Sequence, residues 1–302
     1  MRTIGPWTPI ALVLAIPAGL ASANEAQTVL KHMLSETANV AGFVMPTRAQ
    51  VDWAEALFAR LLLDEAIHPI EQGFSALGFA VQNIRTPASI TIVREVPGKR
   101  EGKGTYLVRH QPTDAPVMLQ APHRFFDKGT GTIALRLFEE APFAALAWND
   151  VPRRYTEDGR HVDADLARLD VHYLTAMSRA FGRVHQQGRV VQLHGFEPRK
   201  RKPGAGTSAT IIISDGTRLP GALVRAVAEC LRHAFPTEQV LLFPGDVDEL
   251  GGTTNRQGAA LRAVGSPGFL HLEMSAAFRL ILQRRPESRE ALSNCLLAEV
   301  TP

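Results

Sequence analysis

The sequence predicts an α/β fold, with a mainly parallel and buried sheet flanked by helices. Beyond residue 116, short apolar runs alternate with segments of helical periodicity. Uninterrupted apolar runs are typical of strands buried on both faces, and their alternation with helices is typical of a parallel sheet. The composition agrees, because 302 residues with 45% hydrophobic and 21% charged side chains exclude a disordered, collagen-like or polytopic membrane protein.

The first third of the chain predicts helices followed by a hairpin. Helices are expected over Gln27–Thr37 and Arg48–Ile67; apolar residues recur at helical spacing in the second, and Pro69 is expected to end it. Ser89–Val96 and Tyr106–Arg109 are rich in β-forming residues and flank a turn-rich stretch. This pattern predicts an antiparallel hairpin ahead of the main sheet.

The remainder of the chain predicts the sheet and its covering helices. The apolar runs expected to form strands are Val117–Gln120, Val190–Leu193, Thr210–Ser214, Val240–Phe243 and Phe269–Leu272. Helices are expected over Asp165–Phe181, Pro220–His233 and Ser288–Val300. No internal repeat or long linker interrupts this order, so residues 24–302 are predicted to form a single α/β domain.

The N-terminus has the pattern of a secretory signal peptide over residues 1–23. Arg2 supplies a positive charge, Ile10–Ile16 form an apolar core, and Ala21-Ser22-Ala23 matches a cleavage site. The apolar core is too short to span about 30 Å of hydrocarbon, which argues against a membrane anchor. The mature chain is therefore expected to be periplasmic or secreted, without stable membrane insertion.

Charge and cysteine content restrict partners and compartment chemistry. The chain has 33 basic and 30 acidic residues, a net charge too small to indicate nucleic acid as a partner. The basic run Arg199–Lys202 is short and lacks an aromatic platform. Cys230 and Cys295 either form a disulfide or remain buried thiols, and their spacing does not decide between these alternatives.

Polar residues suited to catalysis follow three of the predicted strands. His123 and Asp127 follow the first, His194 ends the second, and Glu273 ends the third. In open α/β sheets, sites form at the carboxyl ends of strands, so these side chains are expected to converge.

These residue types match the needs of a hydrolytic zinc site. Such a site takes three histidine or carboxylate ligands and leaves a position open for water, and it needs a further carboxylate to accept a proton. We predict His123, Asp127 and His194 as the zinc ligands and Glu273 as the general base. Each residue also has a structural interpretation, since Asp127 would suit a turn or helix cap and His194 a strand exit.

Arginines offer a way to bind a substrate carboxylate or to stabilise an oxyanion. Arg153 and Arg154 follow Asn149-Asp150, and Arg256 follows a glycine-flanked Thr-Thr-Asn segment. A guanidinium donates two parallel hydrogen bonds to a carboxylate, so Arg154 and Arg256 are predicted as catalytic or substrate-binding residues. Surface ion pairing is the alternative for each.

The ordered segments PHRFFD, NDVPRRY, QLHGF and FLHLEMS resemble those of the N-formylglutamate amidohydrolase-like family, whose fold is related to the zinc carboxypeptidases. The resemblance covers roughly residues 117–282. It implies a mixed, mostly parallel sheet flanked by helices and a zinc-dependent hydrolase of amide bonds. Together with the arginines, this predicts a carboxylate-bearing small molecule or peptide as the substrate. The resemblance also implies that His123 and His194 bind Zn²⁺ and that Glu273 is the acidic residue after the last strand. Asp127 departs from the carboxypeptidase spacing, in which the acidic ligand lies three positions after the histidine and this chain has Phe126.

Two other functions compete with a zinc hydrolase. A serine hydrolase would need a nucleophile elbow, and the nearest candidate, Gly206-Thr207-Ser208-Ala209-Thr210, lacks the final glycine and precedes a strand instead of following one. An exported binding protein that holds a metal or ligand without turnover is the second alternative.

Overall fold

The computed structural model describes residues 23–35, 42–84, 89–96, 101–110, 116–201 and 203–299. The predicted signal segment, except for Ala23, lies outside the described residues. The strands are β1 (Phe79–Ile84), β2 (Ile90–Glu95), β3 (Thr105–Arg109), β4 (Val117–Ala121), β5 (Ala145–Trp148), β6 (Arg154–Glu157), β7 (Arg160–Asp163), β8 (Arg189–Phe196), β9 (Ile211–Ser214), β10 (Val240–Leu242) and β11 (Phe269–Ser275).

Helices connect these strands and cover the sheet. They are α1 (Ala23–Ser35), α2 (Arg48–Leu62), α3 (Ile67–Ala76), α4 (Thr130–Glu140), α5 (Tyr173–Val184), α6 (Ala205–Ser208), α7 (Ala222–Ala234), α8 (Arg256–Ala263), α9 (Ala276–Arg284) and α10 (Pro286–Leu297). Short 3₁₀ turns occur at Leu166–Arg168 and Pro198–Lys200.

The main sheet is mixed, and its centre is parallel. Nine strands follow the order β1-β2-β3-β5-β4-β8-β11-β9-β10. Strands β5, β4, β8 and β11 run parallel to one another, whereas β1, β2 and β3 form an antiparallel segment at one edge. Within that segment, β2 and β3 are the predicted hairpin. Strand β9 pairs antiparallel to β11 and parallel to β10. The predicted fold class, a mixed and mostly parallel sheet flanked by helices, is confirmed.

Two apolar layers enclose the sheet. Apolar residues of α1, α4, α7, α9 and α10 cover one face. Apolar residues of α2, α3, α5 and α8 cover the other. Because successive side chains of a strand point to opposite faces, Val191 and Leu193 face the first layer and Val190 faces the second. Gln192 and His194 therefore share the face of Val190, toward α5 and α8.

Two helices are shorter in the structure than the sequence predicted. The expected helix over Arg48–Ile67 ends at Leu62, and Pro69 lies in the first turn of the following helix α3 instead of ending a helix. Proline is tolerated there because the first amide groups of a helix have no intrahelical acceptor. The helix expected over Asp165–Phe181 begins only at Tyr173.

The late start of α5 has a side-chain cause. His172 is its N-cap, and the ring Nδ1 accepts a hydrogen bond from the amide of Leu174 at 3.1 Å. Its Nε2–H donates to the carbonyl of Gly102 at 2.9 Å. The ring is fully buried, and burial lowers its pKa to about 4. Neutral His172 thus fixes the start of α5 and anchors the segment that leads into β3.

Cys230 and Cys295 form a disulfide, which decides between the two alternatives left open by their spacing. Their Cα atoms are 5.6 Å apart, and the bond joins α7 to α10 across 65 residues of sequence. Both helices pack on the same face of the sheet. The crosslink therefore ties the C-terminal helix to the body of the fold.

Reduction of this disulfide is expected to lower the free energy of unfolding by about 4 kcal/mol, because closing a loop of this length restricts the unfolded chain. Denaturant unfolding with and without a thiol reductant measures the difference. A Cys230→Ala/Cys295→Ala variant should match the reduced protein and should not respond to reductant. Equal unfolding midpoints for oxidised and reduced wild type would contradict the expectation.

Within the described part of the chain, no helix combines the length and apolar character that a membrane crossing requires.

Candidate metal centre

The predicted site residues converge at the carboxyl ends of three adjacent parallel strands. In the pairing of β8 with β11, His194 lies directly opposite Glu273. His123 follows β4, which pairs with β8 on its other side. The three strand ends therefore deliver their polar side chains to one place, as the sequence predicted.

A tight turn after β4 brings Asp127 back toward His123. The amide of Asp127 donates to the carbonyl of His123 at 2.8 Å, which closes a single helical turn. One carboxylate oxygen, Oδ2, then lies 3.6 Å from Nδ1 of His123 and 3.4 Å from Nδ1 of His194. His123, Asp127 and His194 are all buried, and their ligand atoms lie within 4.8 Å of one another. They form a compact His–Asp–His cluster.

Asp165 orients the first histidine of this cluster. Its carboxylate accepts a hydrogen bond from Nε2–H of His123 at 2.7 Å. That bond leaves the lone pair of His123 on Nδ1, the nitrogen that faces Asp127. A carboxylate behind a metal-binding histidine fixes its tautomer and raises its basicity. Sequence reasoning missed this role, and among the described residues the Asp165 side chain forms no helix-capping hydrogen bond.

Electrostatics keep Asp127 ionised. Burial by itself would raise the pKa of this carboxyl, but the neighbouring imidazoles of His123 and His194 outweigh that effect and hold the pKa well below its usual value. A buried carboxylate between two imidazoles is therefore available as an anionic ligand at neutral pH.

Glu273 and His271 lie side by side on β11 next to this cluster. Nε2 of His271 is 3.9 Å from Oε1 of Glu273, and the His271 ring centroid is 4.4 Å from that of His194. Burial, and next to it the charge of Asp127, raises the pKa of Glu273 to about 8. Within the described residues, Oε2 of Glu273 and Nδ1 of His271 are buried without a hydrogen-bond partner.

The donor set fits a divalent transition metal. Imidazole nitrogen and carboxylate oxygen are the ligands that zinc takes in hydrolytic sites. Unpaired buried polar atoms are costly, so orphaned atoms of Glu273 and His271 beside a converging His–Asp–His cluster indicate a site shaped for a polar guest. A second overlapping set consists of His194, His271 and Glu273. Because a neutral imidazole offers one lone pair, the two sets cannot use His194 for two ions at once.

Arg153 contacts the first histidine of the cluster. Its Nη1 lies 3.4 Å from Nδ1 of His123, and its guanidinium lies 5.3 Å from the ring centroid of Phe126. Nε of Arg153 is buried without a partner among the described residues. Phe126 is 49% exposed, so the arginine and the aromatic ring flank the cluster on its solvent side.

Arg154 and Arg256 are the two arginines that the sequence predicted to take part in catalysis. Arg154 begins β6 and is exposed, opposite Asp163 in the β6–β7 ribbon. Arg256 begins α8, is exposed, and acts electrostatically on Asp170. In the described part of the chain, neither side chain forms a hydrogen bond or ion pair with the cluster. A catalytic role for either of them stays a prediction.

Arg279, which sequence reasoning missed, holds the strand ends together. It is buried, and it donates to the carbonyls of Lys128 at 2.9 Å and Phe196 at 3.4 Å and also to that of Met274. A Cβ atom at Gly195 would clash with Nη1 of this guanidinium. The glycine that follows His194 is therefore required for space, because the guanidinium occupies the position of a side chain.

The residues of the competing serine site are not assembled. Ser208 ends α6 on the surface, and its hydroxyl donates to the carbonyl of Ala205 at 3.2 Å. Among the described residues it has no hydrogen bond to a histidine. This geometry gives no support to a nucleophilic serine at position 208.

No family model and no curated protein sequence matches this chain. Similar solved structures include an N-formylglutamate amidohydrolase from Ralstonia eutropha JMP134, with 14% identity, a TM-score of 0.41, and coverage of 65% of this chain and 96% of the other. A metallo-carboxypeptidase from Burkholderia cenocepacia has 12% identity and a TM-score of 0.38, covering 72% and 76%. The LapA aminopeptidase of Legionella pneumophila has 11% identity and a TM-score of 0.36, covering 98% and 78%. The first two belong to the groups that the sequence motifs resemble.

Proposed function

We propose that this protein is a zinc-dependent hydrolase that cleaves an amide bond in a small molecule or peptide bearing a carboxylate. The observation that carries the proposal is the His–Asp–His cluster, in which Nδ1 of both histidines faces one oxygen of Asp127. The carboxyl group of Glu273, one oxygen of which has no hydrogen-bond partner among the described residues, lies on the adjoining strand. A ligand set with an additional carboxyl beside it is the arrangement that metal-assisted hydrolysis requires.

His123, Asp127 and His194 would hold the metal. A zinc ion held there would supply Lewis acidity and would lower the pKa of the water that it binds toward neutrality. Asp165 holds His123 in the tautomer that leaves its Nδ1 free. The buried surroundings exclude competing water and strengthen electrostatic interactions within the site.

The pKa of about 8 for Glu273 belongs to the metal-free fold, and the positive charge of a bound metal would favour its ionised form. Glu273 would then accept a proton from the attacking water and return it to the leaving amine. Its carboxyl is buried, and one oxygen has no partner among the described residues, so it is free to bond a substrate or water molecule. As the water attacks the amide carbonyl, its proton is transferred to this oxygen of Glu273. Protonation of the departing nitrogen then regenerates the carboxylate.

Arg153 is placed to bind the anionic part of the substrate. Its guanidinium reaches the solvent side of the cluster beside His123. It would bind a substrate carboxylate through two parallel hydrogen bonds. Alternatively, it would stabilise the negative charge that develops on the carbonyl oxygen. The exposed ring of Phe126 next to it offers an apolar wall to the group that carries the carboxylate.

The proposed location is the periplasm or the extracellular space. The signal-peptide pattern in residues 1–23 supports it. The Cys230–Cys295 disulfide also supports it, because such bonds persist in oxidising compartments.

Metal analysis combined with an amidase assay tests the proposed function. Purified mature protein is expected to contain one zinc ion per chain and to hydrolyse members of a panel of N-acyl amino acids and peptides. Chelation should abolish the activity, and added zinc should restore it. Activity that survives chelation but is blocked by a serine-directed reagent would favour a serine hydrolase instead. Stoichiometric zinc without turnover on any amide would favour a binding protein.

A further inference from the structure

We propose that a buried network of side-chain amides fixes the tautomer of His194, with Gln192 as the positioning residue for its metal-binding nitrogen. The proposal rests on the metal site proposed above. Gln192 accepts a hydrogen bond from Nε2 of His194 on its Oε1 at 3.1 Å. The ring proton is then on Nε2 and the lone pair on Nδ1, the nitrogen 3.4 Å from Asp127. The orientation of the Gln192 amide decides this, and three chains of hydrogen bonds determine that orientation.

The first chain begins at a carbonyl of α5. The hydroxyl of Ser178 donates to the carbonyl of Leu174 at 2.8 Å, so it can only accept from its other neighbour. That neighbour is Nε2 of Gln120, at 2.9 Å. The oxygen of Gln120 therefore faces Gln192 and accepts from its amide nitrogen at 2.8 Å. Strands β4 and β8 place these two glutamines directly opposite each other.

The second chain begins at carbonyls near the start of α5. Thr175 donates its hydroxyl proton to the carbonyl of Leu169 at 2.8 Å and accepts from Nε2 of Gln257 at 2.7 Å. The same nitrogen of Gln257 donates to the carbonyl of Leu166 at 2.8 Å. Its oxygen must then face Gln192, whose amide nitrogen donates to it at 3.0 Å. Both protons of the Gln192 amide nitrogen are thereby assigned.

The third chain begins at the N-terminus of α8. The amide of Gly258 donates to Oδ1 of Asn255 at 3.0 Å, because Asn255 is the N-cap of that helix. Nδ2 of Asn255 is thus the donor to its other neighbour, Oε1 of Gln192, at 2.6 Å. All three chains agree that the Gln192 oxygen points to His194.

The network is sealed from solvent. Gln120, Gln192 and Gln257 have no exposed surface, and His194 is 3% exposed. A flipped Gln192 amide would set its nitrogen against the donor of Asn255 and its oxygen against the oxygens of Gln120 and Gln257. Such unsatisfied buried groups are costly, so a single orientation is stabilised. The only role left to Nε2 of His194 is that of donor.

Histidine nitrogen NMR on the metal-free chain tests the assignment without relying on enzyme activity. Long-range ¹H–¹⁵N spectra of ¹⁵N-histidine-labelled wild type are expected to show His194 with its proton on Nε2. The variant Gln192→Met removes the acceptor and should give a tautomer mixture with zinc affinity about 10–100-fold weaker. The variant Gln192→Glu disturbs the same network but keeps an oxygen at this position. It should retain the Nε2–H tautomer and bind zinc more tightly than Gln192→Met.

A wild-type ring protonated on Nδ1 overturns the proposal by itself, even where a variant fails to fold. Retention of the pure Nε2–H tautomer and wild-type zinc affinity by Gln192→Met also overturns it. The expected tautomer in a chain that binds zinc but hydrolyses no amide would support the network and contradict the proposed function. The two proposals therefore fail separately.

Discussion

Replacement of Glu273 by glutamine is expected to lower kcat for amide hydrolysis by about 10²–10⁴-fold, the usual loss when a general base is removed. Glutamine preserves the volume and one oxygen but cannot take a proton from water. Because Glu273 is not one of the three residues facing the centre of the His–Asp–His cluster, zinc content is expected to stay at the wild-type value. Steady-state kinetics and metal analysis on the same preparation measure both quantities.

The pH dependence of stability provides a check that the variant is folded. The pKa of Glu273 rises from its ordinary value of 4.5 to about 8 in the metal-free fold. A carboxyl whose pKa is raised by folding favours the folded state at low pH, and this contribution is lost as pH rises from 4.5 toward 8. Glutamine does not titrate, so the variant does not lose stability in this pH range. Metal-free Glu273→Gln should therefore be at least as stable as metal-free wild type at pH 7.

The matched control for this substitution is Glu290→Gln, at an exposed position on α10. It changes the net charge by the same amount and should leave kcat unaltered. A Glu273→Gln enzyme that keeps both its zinc and full activity would remove Glu273 from the role of general base.

The sequence was sufficient to locate the strands that carry the site, for a physical reason. Strands buried on both faces are mostly apolar, so Val190–Leu193 and Phe269–Leu272 can be recognised in the sequence, together with the polar residues that follow them. Strand β5 lacks this signal because it has only four residues, two of them alanine. Strand β1 was missed because the four residues between Phe79 and Ile84 are only partly buried or exposed, which breaks the apolar run.

The unpredicted part of the site consists of contacts between residues far apart in sequence. Asp165 lies 42 positions from His123, and its local sequence equally suits a helix cap. Arg279 binds carbonyls 151 and 83 positions away. Gln192 stands in an apolar strand, where an amide signals a buried network without naming its partners. A polar residue inside an otherwise apolar strand was the available clue, and His271 offered the same one.

Replacement of Asp127 by asparagine is expected to weaken zinc binding by on the order of 10²–10³-fold, since zinc sites of about 10–16 kcal/mol divide that free energy among a few ligands. Asp127 is the anion between the two histidines, and asparagine keeps its shape while removing the charge. Titration against a competing chelator measures the affinity without an activity assay.

Asp165→Asn is the matched comparison, because it neutralises the other carboxylate bonded to His123. An amide oxygen can still accept from Nε2–H, and residues that orient ligands typically contribute 10–100-fold to metal affinity, so a smaller loss of about that size is expected. The variant with the larger loss of zinc affinity identifies the residue that binds the metal directly. A larger loss for Asp165→Asn than for Asp127→Asn would reverse the assigned roles.

A third variant, His271→Asn, separates the two overlapping sets of metal-binding side chains. If His123, Asp127 and His194 hold the ion, this substitution should change zinc affinity far less than Asp127→Asn, because His271 lies beside His194 and Glu273 and outside that set. Undiminished zinc binding by Asp127→Asn together with loss of zinc in His271→Asn would place the ion between His194, His271 and Glu273. In that case Glu273 would be a ligand, and its assignment as general base would be wrong.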